Sequence, residues 1–208
     1  MQERILVADD HGIVRYGLSM MIRKLRPGAL VEEAPDYARV IEMAQKSPYD
    51  LYILDVSMPN GSFLNAYNLL KRFSGSCKIL IFSSLDEEVY AMRYIESGAD
   101  GFLNKLASEE EMKYALEKIF NNGKYVSEAV KDSLVFYKAS KGKSRPLEKL
   151  SNREIAIANM LVSGKSLKEI SQELHLHVST VSTYKTRIFE KLQIQNIPDL
   201  IKVLELKN

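Results

Sequence analysis

Three aspartates stand directly after short aliphatic runs: Asp9 and Asp10 after Ile5-Leu6-Val7-Ala8, and Asp55 after Leu51-Tyr52-Ile53-Leu54. If those runs are neighbouring parallel strands, their carboxylates gather at one sheet edge, where like charges repel unless something positive holds them. A hard divalent cation with oxygen ligands, Mg2+ foremost, is a common solution. A lone aspartate in such a place would as readily be a helix N-cap; three together favour the metal. Ser83 and Ser84 follow Ile79-Leu80-Ile81-Phe82, and Lys105 follows Gly101-Phe102-Leu103-Asn104. A hydroxyl and an ammonium beside a bound cation could grip a phosphoryl group, whose oxygens need both charge and hydrogen bonds. Taken alone, Lys105 reads as a solvated surface lysine.

The elements that must bring these groups together alternate regularly. Apolar runs at 5–8, 29–32, 51–54, 78–82 and 101–103 are separated by helical periodicity near 12–25, 36–46, 63–73, 87–97 and 107–121. Five β-α units in succession predict a five-stranded, doubly wound parallel sheet of the flavodoxin-like kind. Its strands are buried on both faces and its ligand site lies beyond their carboxyl ends.

Composition narrows the setting. With 208 residues, 46% of them apolar, the chain can hold one large or two small packed domains. Residues 1–127 carry 15 basic and 18 acidic side chains, a net of −3, and residues 128–208 carry 14 and 9, a net of +5. The basic second part suits a polyanionic partner, although so modest an excess also serves solubility. The only cysteine, Cys77, can form neither an internal disulfide nor a thiolate zinc cluster, which fits a reducing cytosol. The amino-terminal apolar run is too short for a signal peptide, and no apolar stretch approaches the roughly 20 residues that span a bilayer. A cytoplasmic protein is the expectation.

The polar, basic segment 138–149, broken by Gly142 and Pro146, marks a linker. Beyond it, Ser151-Asn152-Arg153-Glu154 and Ser166-Leu167-Lys168-Glu169 each fit a capping box and open a helix. Gly164 suits the left-handed residue that ends the first of these, Ser179 is the expected cap of a third helix running to about Leu192, and Pro198 suits the first turn of a fourth. The second part is therefore all-α. The domains predicted are 1–125, a connecting segment 126–147, and 148–208.

Four motifs in order, Ala8-Asp9-Asp10-His11, Leu54-Asp55-Val56-Ser57-Met58-Pro59, Ile81-Phe82-Ser83-Ser84 and Gly101-Phe102-Leu103-Asn104-Lys105, make residues 3–121 resemble the receiver domain of two-component response regulators. The resemblance implies that Asp55 takes a phosphoryl group from a phosphohistidine of a sensor histidine kinase. It implies Mg2+ ligation by Asp10 directly, by Asp9 largely through water, and by Asp55 and the Ser57 carbonyl. Ser83 and Lys105 would contact the phosphoryl oxygens, and Phe102 occupies the switch-aromatic position. Phe63 stands where a glycine is usual and Leu106 where a polar residue is commoner. Leu85 offers no polar group to orient an attacking water, so slow loss of the phosphoryl group is expected; a half-life of seconds would contradict it.

Residues 148–206 resemble the LuxR-type output domain of the NarL/FixJ regulators through Leu150-Ser151-Asn152-Arg153-Glu154, Lys168-Glu169-Ile170, Ser179-Thr180-Val181-Ser182-Thr183-Tyr184 and Glu190-Lys191-Leu192. Val181, Ile188 and Leu192, with Ile170 and Leu174, supply a small core. Ser182, Thr183, Lys185, Thr186 and Arg187 are left for the outer face of a recognition helix that would enter the major groove of double-stranded DNA. His175 and His177 lack a third ligand nearby, so no metal is assigned to them. The resemblance further implies homodimerisation through the last helix and two recognition helices one DNA turn apart. A phosphotransferase or phosphatase using Asp55 and Mg2+, and a DNA-independent interaction module, are the competing classes. The first lacks a cap insertion to form a substrate pocket, and a mobility shift with random genomic fragments separates the second.

Overall fold

The computed structural model describes residues 2–131 and 149–205. They form two compact units, divided between residues 139 and 140. In the first, the apolar runs become β1 (Arg4–Ala8), β2 (Leu30–Ala34), β3 (Leu51–Leu54), β4 (Lys78–Ser83) and β5 (Gly101–Asn104), all parallel, in the order β2-β1-β3-β4-β5. Parallel neighbours need long crossovers. These are α1 (Gly12–Leu25), α2 (Tyr37–Lys46), α3 (Phe63–Ser74) and α4 (Glu87–Glu96), and α5 (Glu109–Asn122) closes the series. Every residue of β3 is buried, because a central strand covered on both faces has no polar side to present.

The direction of chain progression reverses between β1 and β3, where a crevice opens in such sheets. The register sets what lies there. Ala8 pairs with Leu54 and Leu54 with Ile81, so Asp9 and Asp55 emerge side by side and the end of β4 comes next. Ser83 pairs with Asn104, which brings Lys105 to the same edge.

Beyond α5 the chain returns to the sheet. Tyr125 forms a single parallel bridge to Gly101, and its carbonyl accepts from the Phe102 amide at 3.1 Å. A Cβ at position 101 would stand 2.6 Å from that carbonyl, so only glycine permits the approach. Val130 is buried, and the Ser127 hydroxyl accepts its amide at 3.3 Å. The predicted linker 138–149 lies almost wholly outside the described residues.

The second unit is all-α: α6 (Asn152–Val162), α7 (Leu167–Glu173), α8 (Val178–Leu192) and α9 (Ile197–Glu205). Both predicted capping boxes form, with Ser151 and Glu154 exchanging hydrogen bonds at α6 and Ser166 and Glu169 at α7. Gly164, at φ +84°, ends α6 with the paired backbone bonds of a Schellman motif, from its own amide to Leu161 and from Lys165 to Met160. Ile155, Ile157, Ala158, Ile170, Val181, Ile188 and Leu200 are at most 1% exposed and form the core. Leu174, assigned to this core from sequence, is only half-buried.

The third helix departs from the sequence reading. Ser179 does not cap it: α8 begins at Val178, with His177 as the N-cap and no side-chain cap. The turn before it dictates this start. His175 adopts φ +51°, its amide bonds to Gln172 and that of Leu176 to Ser171, again a Schellman pattern, here built on histidine instead of glycine. The chain leaves that turn already aimed into α8, so Ser179 falls in the first turn.

Candidate functional site

At the carboxyl ends of β1, β3 and β5 the side chains of Asp9, Asp55 and Lys105 converge, and Ser83 ends the neighbouring β4. Asp9 and Asp55 are 1% and 2% exposed and Ser83 is fully buried. Lys105 Nζ bridges the two carboxylates, 2.6 Å from Asp9 Oδ2 and 2.9 Å from Asp55 Oδ2. Burial works to lower the Lys105 pKa, but hydrogen bonds and charge from Asp9 and Asp55 outweigh it and leave the ammonium above its ordinary value. The other Asp55 oxygen, Oδ1, accepts from the Ser57 amide at 3.1 Å. Asp10 lies further out, with its side chain 39% exposed.

One ligand atom from each of Asp9, Asp10, His11 and Asp55 fits within a span of 4.8 Å. One lysine against two buried carboxylates and a third at the rim leaves the cluster short of positive charge, and its donors are mostly hard oxygens. This donor set fits a divalent cation.

The loops around the cluster are tied to one another. The Lys105 amide donates to the Ser83 carbonyl at 2.9 Å, and the Ser83 hydroxyl accepts from the Leu85 amide at 3.3 Å. Asn104 spans two loops, donating to the Leu85 carbonyl at 3.0 Å and accepting from the Leu106 amide at 2.8 Å. Movement at Ser83 is thereby felt at Lys105 and Leu85 together. Ser84 is exposed at the rim.

Phe102 is fully buried on β5 and belongs to an aromatic file. Its ring stacks with Tyr94 at 6.2 Å, Tyr94 meets Phe63 edge-on at 5.2 Å, and Phe63 leans on Tyr67 at 5.9 Å. Phe63 at the head of α3 therefore packs inward, as a glycine could not.

The second unit presents a helix-turn-helix of α7 and α8. Ser182, Thr183, Thr186 and Arg187 are exposed along α8, while Lys185 is half-buried with its ammonium 5.4 Å over the Phe189 ring. The Thr183 hydroxyl donates to the Ser179 carbonyl at 3.0 Å and that of Thr186 to Ser182 at 3.2 Å, so each turns its remaining lone pairs and methyl outward. Two ties fasten α6 to its neighbours, one to α8 and one to the end of α7. Lys191 pairs with the buried Glu154 at 2.7 Å, and Arg153 donates to the Leu174 carbonyl at 2.9 Å, closing the end of α7. Burial works to raise the Glu154 pKa, but Lys191 and Ser151 outweigh it and hold the carboxyl below its usual range.

Residues 5–117 match the response regulator receiver domain, and residues 148–204 match the LuxR family of bacterial regulatory proteins. The chain belongs to the NarL/FixJ family of response regulators. The regulator is 33% identical to the response regulator GacA of Pseudomonas protegens over 95% of its own length and 92% of GacA. It is 32% identical to the oxygen regulatory protein NreC of Staphylococcus epidermidis, covering 96% and 95% of the two chains. Among solved structures, RcsB of Salmonella enterica serovar Typhimurium, bound to a promoter in the presence of a phosphomimetic, shares its fold with a TM-score of 0.59 at 22% identity over 98% of each chain. Among the described residues no helix is long and apolar enough to cross a membrane.

Of the residues singled out from the regulator's sequence, the structure brings Asp9, Asp10, Asp55, Ser57, Ser83 and Lys105 to one sheet edge, places Phe102 in the core beside it, and leaves the five α8 candidates on one helix. Sequence reasoning missed the groups that brace this edge from other elements. Tyr37 of α2, nearly inaccessible, donates to the Asp55 carbonyl at 3.1 Å, and burial pushes its phenol pKa far up. Arg15 of α1 donates to the Asp9 carbonyl at 2.7 Å and approaches Glu33 at 3.5 Å. His11 was visible beside the aspartate pair, but nothing in the pattern gave its ring a role.

Proposed function

We propose that Asp55 is the phosphoacceptor of this response regulator and that its modification controls DNA binding by a homodimer. The observation that carries the reading is the buried Asp55 carboxylate, held at the sheet edge by Lys105 and flanked by Asp9 and Ser83. In the transfer an Asp55 oxygen forms a bond to phosphorus while the bond from phosphorus to a histidine nitrogen of the sensor kinase breaks, and the freed imidazole takes up a proton. The product is an acyl phosphate with roughly −1.5 to −2 charge and three acceptor oxygens.

Lys105, already between the carboxylates, meets one of those oxygens with its ammonium, and the Ser83 hydroxyl, at the end of the neighbouring strand, would donate to another. Asp9, Asp10, Asp55 and the Ser57 carbonyl would hold Mg2+, which when bound neutralises charge on the transferring group. The exposed side chains of Ile13 and Leu106, 79% and 86% accessible, offer apolar contact for the kinase on either side of the carboxylates. Leu85 supplies no polar side chain to activate water, which supports a long-lived phosphoprotein.

Ser83 transmits the change through its tie to Lys105 and Leu85, and Phe102 senses it from the core. Moving such an equilibrium from mostly resting to mostly active requires about 5.5 kcal/mol, within reach of a few charge-assisted hydrogen bonds. In the output domain we assign DNA contact to Ser182, Thr183, Lys185, Thr186 and Arg187, and the dimer contact to α9. A cytoplasmic regulator meets both a kinase and chromosomal DNA.

The test is incubation of the native chain and Asp55→Asn with acetyl phosphate and Mg2+, followed by intact mass, size in solution and mobility shift on genomic fragments. The native chain should gain one phosphoryl group, dimerise and retard DNA, and Asp55→Asn should do none of these. An unmodified native chain would reduce the receiver to a phosphate-independent module.

A further inference from the structure

We propose that His11 is a further ligand of the cation site and biases it towards a borderline transition-metal dication over Mg2+. The inference rests on the reading of Asp9, Asp10 and Asp55 as that site. His11 is the N-cap of α1, yet its ring makes no capping hydrogen bond and so is not committed to the helix. Its backbone amide donates to Asp9 Oδ1 at 2.9 Å, and this tight turn brings the ring over the carboxylates. Nδ1 stands 2.8 Å from Asp10 Oδ1 and 3.2 Å from Asp9 Oδ1. With the side chain 66% exposed, the ring can adjust without disturbing packing.

Ligand bonds of about 2.1 Å place opposite donors about 4.2 Å apart around an ion. The 4.8 Å span of the four groups needs only a slight contraction to close on one. The consequence is a matter of donor type. Three carboxylates alone make a hard oxygen site, suited to Mg2+. Adding an imidazole nitrogen favours ions such as Fe2+, Co2+ or Zn2+, while a hydrated Mg2+ gains little from it. The site would then respond to the transition-metal content of its surroundings as well as to a kinase.

The experiment is a calorimetric titration of the full chain, His11→Ala and His11→Asn with Mg2+ and with Co2+ in mildly alkaline buffer, together with proton spectra of the Co2+ forms. Both substitutions should cost Co2+ affinity about 10- to 100-fold while changing Mg2+ affinity by no more than about twofold. A paramagnetically shifted, exchangeable imidazole N–H should appear with the native chain and vanish in both variants. Thermal unfolding in EDTA checks that both variants fold, since the ring is exposed and its side chain does not cap α1. Equal losses for the two ions, or the same shifted resonance in the variants, would overturn the role of His11 and leave the cation site standing. Failure of the native chain to bind either ion, or binding unaltered by Asp55→Asn, would overturn the cation site itself.

Discussion

Asp9 and Asp55 keep their charges almost wholly out of water, whereas Ser182, Thr183, Thr186 and Arg187 stand in it. In the function proposed above both sets of residues answer to a phosphate, one on a protein and one on a nucleic acid, yet their physics differs. At the receiver edge two buried carboxylates share one lysine, in an environment where charge interactions are strong and poorly screened. An added phosphoryl group or cation there must shift neighbours, which is what a switch requires. Along α8 the charges are solvated and salt-screened, so they gain energy only when a polyanion displaces counterions. The contrast teaches that the receiver holds the strong couplings, which is why the proposed function places two copies of the output domain on one duplex.

The sharpest way to break this contrast is to remove the lysine. Lys105→Met leaves Asp9 and Asp55 buried without their partner, a change expected to cost about 3 kcal/mol or more in urea unfolding of the receiver in EDTA. Mg2+ should restore much of that loss. Asp55→Asn, which relieves the charge excess, should lose little stability in EDTA and gain less from Mg2+. Equal stability of Lys105→Met and the native chain in EDTA would mean that the buried charges are not strongly coupled.

Among the described residues of the output domain, Glu154 imitates the receiver, with a buried carboxylate held by Lys191 and Ser151. Glu154→Gln should destabilise the output domain by about 2 kcal/mol, as the charge-assisted bonds to Lys191 and the Ser151 amide weaken. The two ties also fail at opposite ends of the pH scale. The depressed pKa of Glu154 means that its stabilisation is present above the ordinary carboxylate range and lost as pH falls through the folded value. The raised pKa of Lys105 means that its contribution is present below the ordinary lysine range and lost as pH rises through the folded value. Calorimetry across pH should show the acid sensitivity of the output transition diminished in Glu154→Gln and the alkaline sensitivity of the receiver transition diminished in Lys105→Met.

Much of this was legible in the sequence because strand ends carry their own marks. Apolar runs that stop at Asp9, Asp55, Ser83 and Lys105 locate the edge of a parallel sheet, and the serine-to-glutamate spacing located two helix starts to the residue. What stayed hidden came from distant elements or from competing local signals. Tyr37 reaches Asp55 from α2 and Arg15 reaches Asp9 from α1, and no pattern within either helix announces where its side chains meet the sheet. At α8 Ser179 offered a plausible cap, but the left-handed His175 had already fixed where the chain enters the helix. Histidine is a poor advertisement for that geometry, since glycine or asparagine usually supplies it.

The smallest effects should lie on the face of α8, and their ranking tests how it reads DNA. Arg187 is exposed on α8, with a guanidinium able to meet a phosphate or a guanine edge, so Arg187→Ala should weaken binding of the phosphorylated dimer by about tenfold per half-site, near 1.4 kcal/mol. If the contact is to phosphate, the loss should be similar for all sequences and the salt dependence should become shallower; if it is to a base, specificity at one position should relax. Thr183 is different. Its hydroxyl hydrogen is engaged by the Ser179 carbonyl, leaving a methyl and acceptor lone pairs to face the groove. Thr183→Val keeps the methyl contact and removes the outward acceptor together with the bond to the Ser179 carbonyl, and should change affinity by less than about 1 kcal/mol. A larger loss from Thr183→Val than from Arg187→Ala in a mobility-shift titration would mean that the hydroxyl leaves the helix backbone to donate to a base, so that α8 reads sequence through its threonines and not through its charge.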